Sequence, residues 1–231
     1  LNADNTPLLN RATSGLYRPG STFKTITATA GLNEGIVTGE TTYTCHQRMK
    51  FYDIEVGCTG YHNDISVAGA LRVSCNIYFY ELGRRLGIDK ITEYASLYGY
   101  GQHTGIETGD YAGAIGNPET FNDIGLDWTV GQVLQAAIGQ SETSVTPLQM
   151  AGVASTIANR GVRYKTHLVD SIYDYSMENE IEKIEPEIAE TIDINYDYVY
   201  DYVIDGMVQA SENNFPADYS LSNLGFDVAI K

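Results

Sequence analysis

Apolar positions along the chain fall mostly at helical spacing. From Ser21 to Leu32, the residues Phe23, Ile26, Ala28, Ala30 and Leu32 are interleaved with threonines, which predicts a helix opened by Ser21 and ended at Gly35. Residues 36–63 carry loop-forming residues around short extended pieces. The stretch "ISVAGALRVSCNIYFYELGRRL", Ile65–Leu86, is apolar at helical spacing, and "GIDKITEYASLYG" repeats that character from Gly87. Two helices packed against one another are expected there. Residues 101–127, rich in Gly, Asn, Asp and Pro, read as an irregular loop. "WTVGQVLQAAIGQ" and "TPLQMAGVASTIANRG" give two more helices, the second with Thr146 as N-cap, Pro147 in its first position and Gly161 at its close. Beyond Gly161 the period changes. "YKTHLVDSIYDY" and "NEIEKIE" alternate apolar and polar residues and predict a strand hairpin. A last helix is expected over Tyr196–Ala210, with Tyr200, Val203, Ile204, Met207 and Val208 on its buried side. No internal repeat or low-complexity linker interrupts the pattern.

The composition narrows the class. With 231 residues, 43% of them hydrophobic and 19% charged, the chain can bury a sizeable core and is not disordered. A net charge of -16 argues against a nucleic-acid partner, because phosphate binding needs a basic face. The acidity concentrates between Asp170 and Asp205, where a single Lys stands among many carboxylates and tyrosines. No run approaches the roughly 18 to 20 apolar residues of a membrane helix, and no signal peptide opens the chain. The first residue is not Met, and Lys231 directly follows "GFDVAI", so both ends read as cuts, the second like a strand interrupted near its start. Cys45 and Cys58 flank the polar stretch "CHQRMKFYDIEVGC", where a disulfide would fit an oxidising compartment. With His46 and His62 nearby a zinc site is conceivable but disfavoured, since no Cys-x-x-Cys unit is present. No metal is expected.

Candidate chemistry begins at "YRPGSTFK", residues 17–24. A Ser-x-x-Lys pair recurs by chance about once in a chain of this length, and standing alone it reads as a capping serine and a solvated lysine. Here the breaker pair Pro19-Gly20 places the serine at the start of an apolar helix, with Lys24 on the same face. A serine hydroxyl is a poor nucleophile until a base takes its proton, and a lysine does so only when desolvation or a nearby cation lowers its pKa. "SCN", Ser74–Asn76, sits within the most apolar region, where a hydroxyl and a carboxamide are costly to bury unless paired. Lys24 is the expected partner.

In order and spacing, "LLNRATSGLYRPGSTFK", "SCNIYFYELGRRLG" and "GQSETSVTPLQMAGVASTIANRG" resemble the transpeptidase domain of penicillin-binding proteins, in its extended form most similar to the monofunctional class B type. The resemblance runs over residues 7–165. It implies an α+β fold of the DD-transpeptidase/β-lactamase-like kind. Residues 1–231 would be one partial transpeptidase domain, truncated at both ends: a mostly helical portion with a C-terminal strand hairpin and most of the central sheet missing. It implies Ser21 as the acylated nucleophile, Lys24 as its general base, Ser74 as a proton relay toward the leaving amine, and Asn76 as the holder of the substrate's amide carbonyl. Lys231 matches the lysine of a Lys-Thr-Gly motif whose Thr and Gly are absent. In the family that strand binds the donor carboxylate, and a backbone N–H beyond its Gly completes the oxyanion hole; one lost donor costs about 100- to 1000-fold in rate. The chain alone is therefore expected to be inactive unless the missing strands are supplied separately.

The implied activity is a peptidoglycan DD-transpeptidase that forms a serine acyl-enzyme and is acylated by β-lactams. It needs no cofactor and acts on the outer face of the bacterial cytoplasmic membrane. Stem peptides and β-lactam antibiotics are the implied ligands, and a membrane glycosyltransferase of wall synthesis the implied partner. A serine β-lactamase or β-lactam sensor is the alternative, against which Asn76 argues because such relatives usually carry an apolar residue there; an inactive scaffold module is another. Smaller departures are Ser141 after "GQ" and "YHNDI" at residues 61–65. "SEN" at Ser211–Asn213 and "KTH" at Lys165–His167 are read as structural decoys, Cys75 as an apolar filler without redox meaning, Trp128 as a core anchor, and the tyrosines of residues 196–202 as a helix face.

Overall fold

The computed structural model describes residue 6, residues 8–213 and residues 221–231. After a one-turn helix α1 (Arg11–Ser14) the chain crosses Pro19 into a 3₁₀ turn, Gly20–Phe23, which runs directly into α2 (Lys24–Asn33). All ten residues of α2 are buried, which makes it the axis of the core. Its threonines sit there without orphaned hydroxyls: Thr25 donates to the Thr22 carbonyl at 2.8 Å, Thr29 to the Thr25 carbonyl at 2.9 Å, and Thr27 to the Ala137 carbonyl at 2.7 Å. That local back-bonding is why alternating Thr and apolar residues form a buried helix and not a strand.

Two short antiparallel ladders follow, β1 (Tyr43–Cys45) with β4 (Asn63–Ile65), and between them β2 (Arg48–Phe51) with β3 (Ile54–Gly57). The expected single helix over 65–86 is instead broken. Helix α3 (Val67–Arg72) ends at Val73, and α4 (Asn76–Leu97) starts three residues later, after Ser74 has turned to φ +55°. The Ser66 side chain caps α3. Gly87, at φ 78° and ψ 165°, kinks α4 where the two expected helices were to meet. Within the irregular 101–127 stretch one short helix forms, α5 (Pro118–Asp123), capped by the Asn117 side chain.

Helix α6 (Val130–Ala137) packs on α4, and α7 (Pro147–Ala158) opens with the expected Thr146 cap, reinforced by the Gln149 side chain on the Thr146 N–H. The predicted hairpin is present as a two-part arm. Strands β5 (Val162–Tyr164) and β8 (Ile188–Thr191) pair at its base, and β6 (Ser171–Tyr173) and β7 (Glu180–Lys183) at its tip. Helix α8 (Val199–Asn213) lies against α3 and α2, burying Val199, Tyr200, Val203, Met207 and Ala210, while Ile204 and Val208 are half-buried flanks. Tyr196 and Tyr198 stack just before α8 and Tyr202 meets Tyr198 edge-on. The fold is α+β, and every sheet among the described residues is two-stranded. Trp128 is a correction: it is half-buried in the α5–α6 link, edge-on to Phe121, where exposed neighbours leave it outside the core.

Candidate active site

The turn that carries Ser21 is pinned from both sides. Tyr17 and Val145 exchange backbone hydrogen bonds of 2.9 Å, and the Gly20 N–H donates to the Gly139 carbonyl at 2.9 Å. Gly20 adopts φ +55°, which explains the glycine of "PGS": a side chain there would be strained. The Thr22 hydroxyl donates back to the Pro19 carbonyl at 2.8 Å. Ser21 is thus the second residue of the 3₁₀ turn that leads into α2, near the start of the helical run as expected, and it is not a side-chain N-cap. It is exposed while Lys24, three residues on, is fully buried.

Ser21, Lys24, Ser74 and Asn76 come together. Lys24 Nζ donates to Asn76 Oδ1 at 2.6 Å, to the Ser74 carbonyl at 2.9 Å and to Ser74 Oγ at 3.0 Å. Ser74 Oγ in turn donates to Ser21 Oγ at 2.9 Å. The three acceptors match the three N–H bonds of an ammonium, so this is the arrangement of the charged lysine. Its pKa is nonetheless pulled down from 10.5 to about 8, by burial above all, with the sulfurs of Cys58 and Cys75 pulling the other way. The Phe79 ring, 5.7 Å from Nζ, closes the remaining side. Loss of one proton reverses the chain. Neutral Lys24 accepts from the Ser74 hydroxyl, which then accepts from Ser21, and that is the direction a nucleophile needs to be activated.

The break between α3 and α4 aims these groups. Ser74 N–H donates to the Leu71 carbonyl at 3.2 Å and Cys75 N–H to the Ala70 carbonyl at 2.9 Å, so the last turn of α3 folds the "SCN" tripeptide toward α2. Lys231 joins the same carbonyl: its Nζ donates to Leu71 O. Its pKa falls to about 7 through burial and then the charge of Lys24. With Thr22, Thr25, Met150 and Met207 it lines a cavity of about 130 Å³ beside α2. The position inferred for Lys231 from the motif is thus adjacent to the relay.

Behind the "SCN" turn lies a group that the sequence reading raised with His46 and set aside, and whose fourth member, Cys75, it did not include. Donor atoms of Cys45, Cys58, His62 and Cys75 all lie within 4.8 Å of one another. His62 Nδ1 is 3.5 Å from Cys45 Sγ and 3.7 Å from Cys58 Sγ, and Cys58 Sγ is 3.8 Å from Cys75 Sγ. These separations suit a tetrahedron of zinc ligands, whose edges are about 3.8 Å for a Zn–S bond of roughly 2.3 Å. Cys45 and Cys58, for which the sequence left a disulfide open, are not bridged, and all three cysteines are free. His46 stands outside the group, stacked on Tyr61. Cys75, read as filler, is inside it. Cys58 is the acidic member, held well below the ordinary thiol range by the Cys75 S–H and by backbone N–H groups, while Cys75 is pushed up. The signal is scattered along the chain: Cys45 ends β1, Cys58 and His62 stand four apart in the β3–β4 loop, and Cys75 lies in the α3–α4 joint.

The decoys are structural. Lys165 pairs with Glu187 just past β5, and His167 contacts its own loop at Val169. Ser211 is buried on α8 with its hydroxyl on the Val208 carbonyl; the side chain of Asn213 lies outside the described residues.

Comparison with known proteins follows the same geometry. The family model described as "Penicillin binding protein transpeptidase domain" matches residues 1–231. Peptidoglycan D,D-transpeptidase MrdA of Acinetobacter baumannii is 34% identical over 172 residues, 71% of this chain and 25% of that protein. A solved structure described as "Structural coordination of polymerization and crosslinking by a peptidoglycan synthase complex" superposes with a TM-score of 0.79 at 30% identity, over 91% of this chain and 35% of that one. Penicillin-binding protein A of M. tuberculosis, solved as an imipenem acyl-enzyme complex, superposes with a TM-score of 0.78 at 26% identity, over 91% of this chain and 47% of that one. The chain spans about a quarter of the curated relative's length.

Proposed function

Because the chain belongs to the penicillin-binding protein transpeptidase family, we propose that residues 1–231 form part of one serine D,D-transpeptidase domain that cross-links peptidoglycan stem peptides and is acylated by β-lactams. The observation that carries the reading is the Ser21–Ser74–Lys24 chain, with an exposed hydroxyl at one end and a buried amine of lowered pKa at the other. In this reading Ser21 Oγ attacks the penultimate D-alanine carbonyl and passes its proton through Ser74 to Lys24. The same path, run outward, protonates the departing amine of the terminal D-alanine. Asn76, bonded to Lys24 through Oδ1, keeps its amide N–H groups for the substrate carbonyl. Lys231 supplies positive charge for the donor carboxylate, and the N–H of Ser21 is one donor of the oxyanion hole.

Two supports come from relatives. The M. tuberculosis protein forms an acyl-enzyme with imipenem, in line with acylation of Ser21 by a β-lactam. The synthase complex couples polymerization with crosslinking, which supports a membrane glycosyltransferase as partner and a place on the outer face of the cytoplasmic membrane. No helix among the described residues is long and apolar enough to cross a membrane. Fluorescent penicillin applied to the longest natural chain containing these residues, and to the same chain with Ser21→Ala, tests the assignment. A stable label that disappears with Ser21→Ala is expected. A label that survives the substitution removes Ser21 as nucleophile, and a label that turns over rapidly makes the protein a β-lactamase.

A further inference from the structure

A polar cavity of about 410 Å³ lies where α3, α8 and the loop after α2 meet, within the roughly 300–1,000 Å³ of small-molecule sites. None of Ser21, Lys24, Ser74 and Asn76 lines it. Its walls are fixed by two close approaches. Gly206 brings α8 so near α3 that a Cβ on it would lie 2.8 Å from Leu71 Cβ and 2.9 Å from the Ala68 carbonyl oxygen. A Cβ on Gly39 would fall 1.9 Å from Tyr202 Cζ, so the half-buried Tyr202 ring is laid on bare backbone. Tyr198 crosses that ring at 73°, 5.8 Å away between centroids, and holds it at the cavity wall.

The lining chooses among ligand classes. Glu40, Asp64 and Asp205 present carboxylates, which oppose an anion, while Arg72 places a guanidinium in the same wall, which opposes a polycation. An apolar ligand would strip water from all four and from the Gln209 amide without replacing it. A ring with several hydroxyls and an apolar C–H face meets every group: its O–H groups donate to the carboxylates, its oxygens accept from Arg72 and Gln209, and its C–H face lies on Tyr202. Asp64 accepts the Thr44 hydroxyl on Oδ1, and Asp205 accepts the Gln209 amide on Oδ2 at 2.8 Å. Among the described residues, that leaves the second oxygen of each carboxylate for a ligand. We propose that this cavity binds a pyranose unit of the peptidoglycan glycan and anchors the strand whose stem peptide reaches Ser21. That the sugar belongs to peptidoglycan rests on the transpeptidase reading above; that the cavity takes a polyol does not. Reach agrees with the pairing. Arg72 lines the cavity, and Ser74 stands two residues on, no more than about 7.6 Å away at 3.8 Å per Cα step. Ser74 Oγ is in turn 2.9 Å from Ser21 Oγ. Three to four extended stem residues span about 10–14 Å, enough to carry the scissile carbonyl from a sugar held here to the nucleophile.

The test uses the longest natural chain containing these residues, with chitotetraose, a β-1,4-linked tetramer of N-acetylglucosamine without peptide, as the probe. Calorimetry should show one saturable site per chain with a dissociation constant of about 1 mM or tighter, and the same site in the chain carrying Ser21→Ala. Asp64→Ala and Asp205→Ala, both at exposed positions, should each weaken binding at least about fivefold, and Tyr202→Ala at least about tenfold. Turnover of a glycan-bearing stem should show a KM at least about fivefold below that of the free stem peptide at similar kcat, and Asp205→Ala should erase the difference. Chitotetraose that does not saturate below about 10 mM, or that binds Asp64→Ala and Asp205→Ala as tightly as wild type, overturns the proposal. Those two exposed variants decide it even where Tyr202→Ala does not fold. Spermidine that binds more tightly than chitotetraose makes the cavity a cation site and overturns it as well, and equal KM values for the two stems overturn the anchoring. A chain that binds chitotetraose but takes no penicillin on Ser21 upholds the sugar site and overturns only the reading of Ser21, so the two failures are distinct.

Discussion

Lys24 has three acceptors and no exposed surface, so its charge is tolerated by hydrogen bonds while its environment favours the neutral form. Acylation by penicillin should therefore rise with pH through about 8, as the relay reverses direction, and a pH–rate profile of labelling checks this. The same shift has a stability consequence. For Lys24 and Lys231 the folded pKa lies below the unfolded value, at about 8 and about 7. As pH rises from those values toward 10.5 the unfolded chain keeps protons that the folded chain has released, so these groups make unfolding harder with rising pH. Urea midpoints compared between pH 7 and about pH 9.5 should climb, and Lys24→Met should climb less; an equal slope in both proteins rejects the assignment. That Ser21, Lys24, Ser74 and Asn76 come together was legible from the two motifs and the family resemblance. What spacing could not show is that Ser74 stands between Ser21 and Lys24, because that depends on its φ of +55°, which nothing in the residue type of serine announces.

Helix ends and their joints decide where those residues point. Gly139, at φ +70°, closes α6 against the Ser21 turn, and a Cβ added there would lie 2.3 Å from the Gly20 carbonyl oxygen and 2.5 Å from Phe23 Cβ. Gly139→Ala should cost about 3 kcal/mol, combining backbone strain with overpacking, read by chemical denaturation, and should lower penicillin labelling more than the lost stability alone explains. Gln149 caps α7 and also donates to the Gln102 and Ala112 carbonyls, each at 2.8 Å. Gln149→Ala should cost about 2 kcal/mol, from the lost cap and the stranded carbonyls, again by denaturation. The caps at Thr146 and Pro147 were legible because capping chemistry is local. The break between α3 and α4 was not, since "VSCN" continues an apolar helical period and what rewards leaving it is tertiary, including the bonds of Lys24 to Ser74 and Asn76 and of the Asn76 N–H to Cys58 Sγ. The cysteine–histidine group was disfavoured for a similar reason: Cys45 ends β1, Cys58 and His62 lie in the β3–β4 loop and Cys75 in the α3–α4 joint, with no compact spacing to mark the four as one set.

Across the whole molecule the acidity and the core are segregated. The arm of β6 and β7 carries carboxylates with exposed Tyr173, Tyr175 and Ile181, whereas the core is helical and centred on α2. Replacing residues 171–183 by a two-residue turn should shift unfolding by no more than about 0.5 kcal/mol, and a larger loss in a denaturation curve would show that the arm supports the core. Its alternation made the hairpin legible, while the two-part pairing was not, because the loops between its ladders follow no period. The relay is assembled across long separations in the chain: Ser21 meets Ser74 53 residues away, and Lys24 meets Asn76 52 away. No local folding unit can display it. The closure entropy of those contacts is recovered only when α2 and the α3–α4 joint dock. A collapsed state with its helices formed but its packing loose would keep its far-ultraviolet dichroism and take no penicillin. During refolding, acylation of Ser21 would thus report the arrival of native tertiary order, trailing the helical signal.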